Sequence, residues 1–223
     1  MQVTAIVPMR HDSERVPGKN YRAFNGRPLY QHVLDALQRA ARVTTIVVDT
    51  DSPVILEQLA DAYPDVVALE RPEHLRSGHT AMNDVLLNIV DGAPGGDLYL
   101  QTHSTNPLLR SETIDAAIAA LAAAPDHDSL FSVTPRQARF WTRDGQPVNH
   151  DPDVLLRTQD LPPLLEENSC LYLFDAATLR ARGNRIGARP LIFEMDAVEA
   201  QDIDVELDFV VAEFLHRQRE GDR

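Results

Sequence analysis

Two stretches near opposite ends of the chain carry the residue types that handle phosphate. The first is Arg10-His-Asp-Ser13-Glu-Arg15-Val-Pro17-Gly18-Lys19-Asn20, which gathers three cations directly after the apolar run Val3–Val7. Arginine offers a flat fork for phosphate oxygens and lysine a compact point charge, while Gly18 lets backbone approach an anion closely. Lys19 is the only lysine, against twenty arginines. The second stretch is Gln201-Asp202-Ile203-Asp204. In an extended segment residues two apart face the same way, so Asp202 and Asp204 present paired carboxylates and Ile203 turns to the core. Such a pair suits Mg²⁺, which takes one or two carboxylates and completes its shell with water and substrate phosphate. Plainer readings stay open for both: a solvated basic loop, and an Asp204 that merely caps the next helix beside an exposed Asp202. Two phosphate motifs are excluded. G-x-G-x-x-G is missing, and Gly18-Lys19 lacks the earlier glycine and the following Ser or Thr of a Walker A loop.

The elements that must hold these residues alternate between strand and helix signals, the pattern of a mainly parallel α/β sheet with helices on both faces. After the first strand, Asn25-Gly26 makes a turn and Pro28 opens a helix through about Ala41, with Leu29, Val33, Leu34 and Leu37 on one face. Strands are expected at Thr45–Val48, Val66–Leu69, Asp97–Leu100, Leu130–Val133, Asn168–Phe174 and Leu191–Phe193. Ser52, Thr80 and Ser111 are the expected caps of three helices. Val54, Ile55, Leu56 and Leu59 give the first of these its buried side. The last helix, Val205–Arg219, is expected to turn Leu207, Val210, Val211 and Phe214 inward. Pro147, Pro152, Pro162 and Pro163 interrupt the pattern from Pro135 to about Leu165, where Phe140 and Trp141 bring large apolar surface. An irregular segment that long usually covers a site or meets a partner subunit.

At 223 residues the chain suits one domain, residues 1–223, with 135–165 as a lid or dimerisation insertion. A formal net charge of -13 argues against a general nucleic-acid binder and leaves the first loop as a local basic site. Cys170 is alone, so no intrachain disulfide forms and a reducing, cytoplasmic setting is expected. No apolar run approaches membrane-spanning length, and no signal peptide is apparent.

The spacing Arg10-x-x-Ser13-x-Arg15-x-x-x-Lys19-Asn20 after an apolar first strand resembles the signature loop of the acylneuraminate cytidylyltransferases. Four further segments match that family in order along the chain. They are Arg71-Pro72-x-x-Leu75; Leu100-Gln101 through Pro107-Leu-Leu-Arg110; Arg157-Thr-Gln159 with Glu167-Asn168-Ser-Cys-Leu-Tyr172; and Asp202-Ile-Asp204 before the last helix. The resemblance implies a Rossmann-like nucleotidyltransferase fold and transfer of CMP from CTP to an acidic nine-carbon 2-keto sugar. It implies phosphate ligation and catalysis by Arg10 and Lys19, with Ser13, Arg15, Asn20 and Arg71 lining the nucleotide site. Gln101, Arg157, Gln159 and Asn168 would serve the sugar, and Asp202 and Asp204 would hold Mg²⁺ with Asp208 in support. A homodimer formed through the insertion is implied as well. The chain departs from the family at Gly78, where an acidic residue is common, at Ser169 in place of glycine, and in a longer Gln101–Pro107 segment containing His103. An octulosonic acid or a sugar phosphate as acceptor, or a non-catalytic nucleotide-binding subunit, are the alternatives. His103 as a general base competes with His103 as a plain hydrogen-bonding residue.

Overall fold

The Val3–Met9 run forms the central strand β1, buried at every position. In the computed structural model, which describes residues 1–221, β1 lies between β4 (Thr45–Thr50) and β6 (Leu98–Thr102), parallel to both. A hairpin of β2 (Ala23–Phe24) and β3 (Arg27–Pro28) stands apart from this sheet. It turns at Asn25 and Gly26, both at positive φ, as a two-residue Asn-Gly hairpin requires. β5 (Val67–Glu70) extends one edge of the main sheet beyond β4, and β8 (Leu164–Phe174), β7 (Ser129–Arg136) and β9 (Pro190–Glu194) extend the other beyond β6. Of these seven strands β8 alone runs against the rest.

Period-2 alternation in β1 loads both faces. Ala5 and Val7 meet α1 (Leu29–Arg39), α2 (Pro53–Ala62) and α4 (Ser111–Ala122) on one side. Ile6 meets α3 (Met82–Gly92) and α5 (Ala176–Arg182) on the other. The chain leaves β1 for β4 on one side and later returns to β6 on the other, so a crevice opens between the loops that follow β1 and β6. That switch point is where open α/β sheets bind ligands.

A third, smaller core matters most for the site. Val16 of the first loop, Phe24, Leu29, and Ile203 pack with Phe209 and Ala212 of α6 (Glu206–Gly221). The inward turn of Ile203 expected from its spacing is present.

Several local expectations are corrected. Ser52 does cap α2, its hydroxyl accepting from Ile55 N, but only Ile55 and Leu59 of that helix are buried. Ala81 takes the N-cap of α3, and Thr80 lies outside it. Arg110 takes the N-cap of α4, making Ser111 its first helical residue. α6 is rotated from the expected face: Leu207, Val210, Val211 and Phe214 are 69%, 54%, 39% and 55% exposed. Two polar ties choose the other face. Arg22 holds Glu206 with two bonds of 2.7 Å, and Asn25 bonds Glu213 and His216, so Phe209 and Ala212 turn inward instead.

The irregular arm spans 137–163, between the paired ends Arg136 and Leu164 of β7 and β8. Its polar groups are satisfied locally: the Asn149 amide donates to Ala138 O at 2.8 Å and Pro162 O at 3.1 Å, and Gln137 donates to Thr158 O at 2.9 Å. No described helix is long and apolar enough to cross a membrane.

Candidate active site

The basic loop near the start of the chain and the acidic segment near its end meet in one cleft of about 560 Å³ at the β1/β6 crevice. Arg10, Ser13, Arg15, Lys19, Asn20, Arg71, Asp202 and Asp204 all line it, as do two residues the sequence left unassigned or undecided, Arg185 and His103.

The first loop is held from several directions. His11 N donates to the Asp51 carboxylate at 2.7 Å, and the His11 ring stacks on Tyr21 with centroids 5.1 Å apart. Gly18 sits at φ 64°, and a Cβ there would lie 2.9 Å from the Tyr21 ring, so glycine is required by the turn and by the ring together. Asn20 is buried; its amide nitrogen donates to Arg10 O at 2.7 Å and its oxygen accepts from Ser104 at 2.8 Å, tying the β1 loop to the β6 loop. Asn20 therefore shapes the site's wall.

Lys19 reaches across to the acidic segment and donates to the carbonyl of Ile203. Burial lowers its pKa, and the charges of Asp202 and Asp204 oppose that shift. Burial raises the Asp202 carboxyl, with Asp204's charge adding to the rise and a Thr105 hydrogen bond opposing it. Asp204 forms a 2.7 Å ion pair with Arg15. Asp208 accepts from the backbone N–H of Asp204 and Val205, both at 2.9 Å, so it caps this corner and does not line the cleft.

Arg10 makes no ion pair among the described residues. Its Nη1 lies 3.0 Å from where a Cβ on Gly78 would stand, so the glycine leaves this guanidinium uncommitted where a carboxylate would engage it. Arg71, by contrast, is 2% exposed and bonds Asp49 at 2.5 Å, Asp49 itself being fully buried. Stranding one member of such a buried pair costs about 3–5 kcal/mol, which makes Arg71 a pillar of the cleft as well as part of its wall.

The far end is a hydrogen-bonded relay. Arg185 lies with its guanidinium carbon 3.5 Å from the centroid of the Tyr172 ring and donates to Gln101 Oε1 at 2.5 Å. That contact fixes the amide's orientation, so Gln101 Nε2 donates to His103 Nε2 at 2.9 Å. The imidazole proton is thereby on Nδ1. Burial, then the nearby charges of Arg185 and Lys19, push His103 down to about 4, so the ring is neutral near pH 7. With its basic nitrogen engaged and its basicity lowered, His103 is a donor here and a poor general base. Gln101 is fully buried with both ends of its amide engaged; Arg185 and His103 present the contacts to the cleft.

Three expected sugar ligands lie elsewhere. Arg157 bonds Asp160 at 2.7 Å and 3.0 Å within the exposed arm, and Gln159 belongs to the same short turn. Asn168 accepts from Ser132 at 2.6 Å and donates to Thr134 at 3.0 Å, stitching β8 to β7. The available sign of Arg185 was compositional: Arg182, Arg185 and Arg189 cluster in a chain that is otherwise acidic.

The chain is similar to several known cytidylyltransferases. The 3-deoxy-manno-octulosonate cytidylyltransferase of Pelobacter propionicus is 30% identical over 125 residues, covering 56% of this chain and 46% of its own length. The N-acylneuraminate cytidylyltransferase of Oncorhynchus mykiss is 28% identical over 218 residues, covering 95% of this chain and 49% of its own. The likeness thus spans about half the length of each. A solved CMP:2-keto-3-deoxy-manno-octonic acid synthetase complexed with CTP shares the fold at a TM-score of 0.69 and 16% identity, over 98% of this chain and 100% of that one. The cytidylyltransferase family pattern matches residues 4–210, and with that match spanning both the basic loop and the aspartate pair, the chain belongs to the cytidylyltransferase family.

Proposed function

We propose that the protein transfers CMP from CTP to the anomeric hydroxyl of an acidic 2-keto sugar and releases pyrophosphate. One observation carries the proposal: Lys19 reaches the backbone between Asp202 and Asp204 in the cleft that also holds the uncommitted Arg10. The sugar hydroxyl oxygen bonds to the α-phosphorus of CTP, the bond from that phosphorus to the bridging oxygen breaks, and pyrophosphate leaves with the electron pair. The hydroxyl proton passes to solvent. Such a displacement needs alignment and stabilisation of charge on phosphate oxygens, with no covalent enzyme intermediate. Lys19 and Arg10 supply that positive field, and Ser13 and Arg15 border the nucleotide. Two carboxylates, one of them desolvated and facing a like charge, form a donor set that fits Mg²⁺. Asp202 and Asp204 would hold the ion, which when bound supplies further charge stabilisation at the phosphates.

At the far end Arg185 is suited to grip the sugar carboxylate, since guanidinium and carboxylate pair through parallel bonds. The Nδ1–H of His103 is a second donor. Sequence likeness to the N-acylneuraminate enzyme over 95% of the chain, against 56% for the octulosonate one, supports a nine-carbon acid, and the fold shared with the octonic acid synthetase over 98% of the chain keeps an octulosonic acid as the second reading. Pyrophosphate release measured with each of the four triphosphates against sialic, legionaminic, pseudaminic and octulosonic acids tests this. Release is expected only with CTP and greatest with a nonulosonate; no release with CTP and any of the acids defeats the assignment, and an octulosonate preference corrects the sugar.

The same reading assigns the arm at 137–163 to a homodimer contact. Trp141, Val148, Val154 and Leu155 are 52%, 50%, 51% and 91% exposed there, an apolar surface that monomers seldom leave open. Sedimentation at micromolar concentration is expected to give a dimer, and a monomer there removes this assignment.

A further inference from the structure

A second cavity, also about 560 Å³, lies between α1, the hairpin turn, the start of α4 and the end of α6, and shares no lining residue with the cleft at Lys19. Its wall holds five arginines, at 27, 39, 110, 217 and 219, against two carboxylates, Asp35 and Glu112. This concentration of positive charge is out of keeping with a chain of net charge -13. Charge of one sign gathered in a concave, low-dielectric basin concentrates counter-ions there.

The arginines are not all neutralised by their neighbours. Arg27 pairs with Asp35 at 2.8 Å, and Arg217 reaches Glu213 only at 3.6 Å. Arg110 directs Nε and Nη2 to Glu199, leaving Nη1 uncommitted to that carboxylate. Arg39, in the last turn of α1, makes no ion pair among the described residues. The start of α4 adds nothing to this field, because the buried Glu199 carboxylate accepts from the Arg110 backbone N–H at 2.7 Å and Glu112 puts a further negative charge in the first turn. The arginines come from different elements and converge on one space, which is large enough for a small polyanion and within the usual range for ligand pockets.

We propose that this basin is a second anion site, which takes a small ligand of the phosphate class, inorganic phosphate or pyrophosphate, through Arg39, Arg110 and Arg217. The proposal stands apart from the catalytic reading, because it rests on none of the same residues.

Calorimetric titration of the full chain with pyrophosphate, and separately with inorganic phosphate, tests it against the double variant Arg39→Gln, Arg217→Gln. Both side chains are exposed, and thermal melting of the variant is expected to match the parent. Two saturable sites for pyrophosphate are expected in the parent, one of them weakened tenfold or more in the variant, with turnover at low pyrophosphate unchanged. Pyrophosphate bound more tightly than phosphate at that site identifies the larger anion as its occupant, and the reverse identifies the smaller. A single parental site lost in the variant upholds the basin and counts against Lys19 as a phosphate ligand. Binding that is the same in parent and variant for both anions overturns the proposal, as does a parent with no saturable binding. If the double variant melts early, Arg39→Lys, which keeps the charge, must restore melting and retain binding for the proposal to stand.

Discussion

The two ends of the Lys19 cleft handle charge in opposite ways. Around Lys19, full charges face one another: Arg10, Arg15 and Lys19 from one loop, Asp202 and Asp204 from another. Around Gln101 a single cation, Arg185, heads a relay whose other members are a neutral amide and a neutral imidazole. The first arrangement suits a ligand bearing several charges and a metal. The second suits a ligand with one carboxylate and many hydroxyls, which needs fixed donors and acceptors more than field strength. Burial creates the difference, since it keeps His103 uncharged within reach of two cations.

Removing the charge at the first end should have the largest effect. Lys19→Ala is expected to lower kcat by about 100-fold or more, the scale seen when a preorganised donor to a transition-state oxyanion is lost, with an unchanged circular dichroism spectrum. Near-normal turnover would dissolve the distinction between the two ends. Arg185→Ala should act on the acidic sugar alone, raising its KM by about 10- to 100-fold, as expected for a charged hydrogen-bonding partner, while KM for CTP stays put. An equal rise in both would place Arg185 at the nucleotide.

The smallest effect is on stability. An ordinary histidine titrates near 6.5, whereas His103 in the fold does so at about 4. Between those values the unfolded chain binds a proton that the folded chain refuses, so stability is lost as pH falls through that window. Between pH 7 and pH 5 the loss attributable to His103 is about 2 kcal/mol. His103→Gln should flatten the urea-melt difference between those pH values by that amount; an unchanged difference would mean that the ring takes up its proton as readily in the fold as in the unfolded chain.

The two ends also differ in how far they could be read from the chain. The basic loop is one contiguous run, and Asp202-Ile203-Asp204 declares its geometry by period-2 alternation, so both were visible in order of residues. Arg185 has no such local grammar. It becomes a site residue only because β6 and β8 are neighbours in the sheet, placing Gln101 opposite Tyr172, on whose ring Arg185 rests. Gln101 itself was legible as a site segment, but its burial beneath His103 and Arg185 was not. Arg157 and Gln159 show the converse, a local pattern matched in sequence whose residues stand in an arm away from the cleft.

The sequence by itself determined the alternation of strands and helices, the basic loop, the aspartate pair and the irregular arm, because each is written in residues close together along the chain. Only the tertiary structure decided which face of α6 turns inward, that Asn168 is a stitch between strands, and that five arginines from β3, α1, the N-cap of α4 and α6 surround a second basin. Local periodicity offers a helix more than one apolar stripe. Long-range bonds such as Arg22 to Glu206 and Asn25 to Glu213 select among them, and those bonds exist only once distant segments have come together.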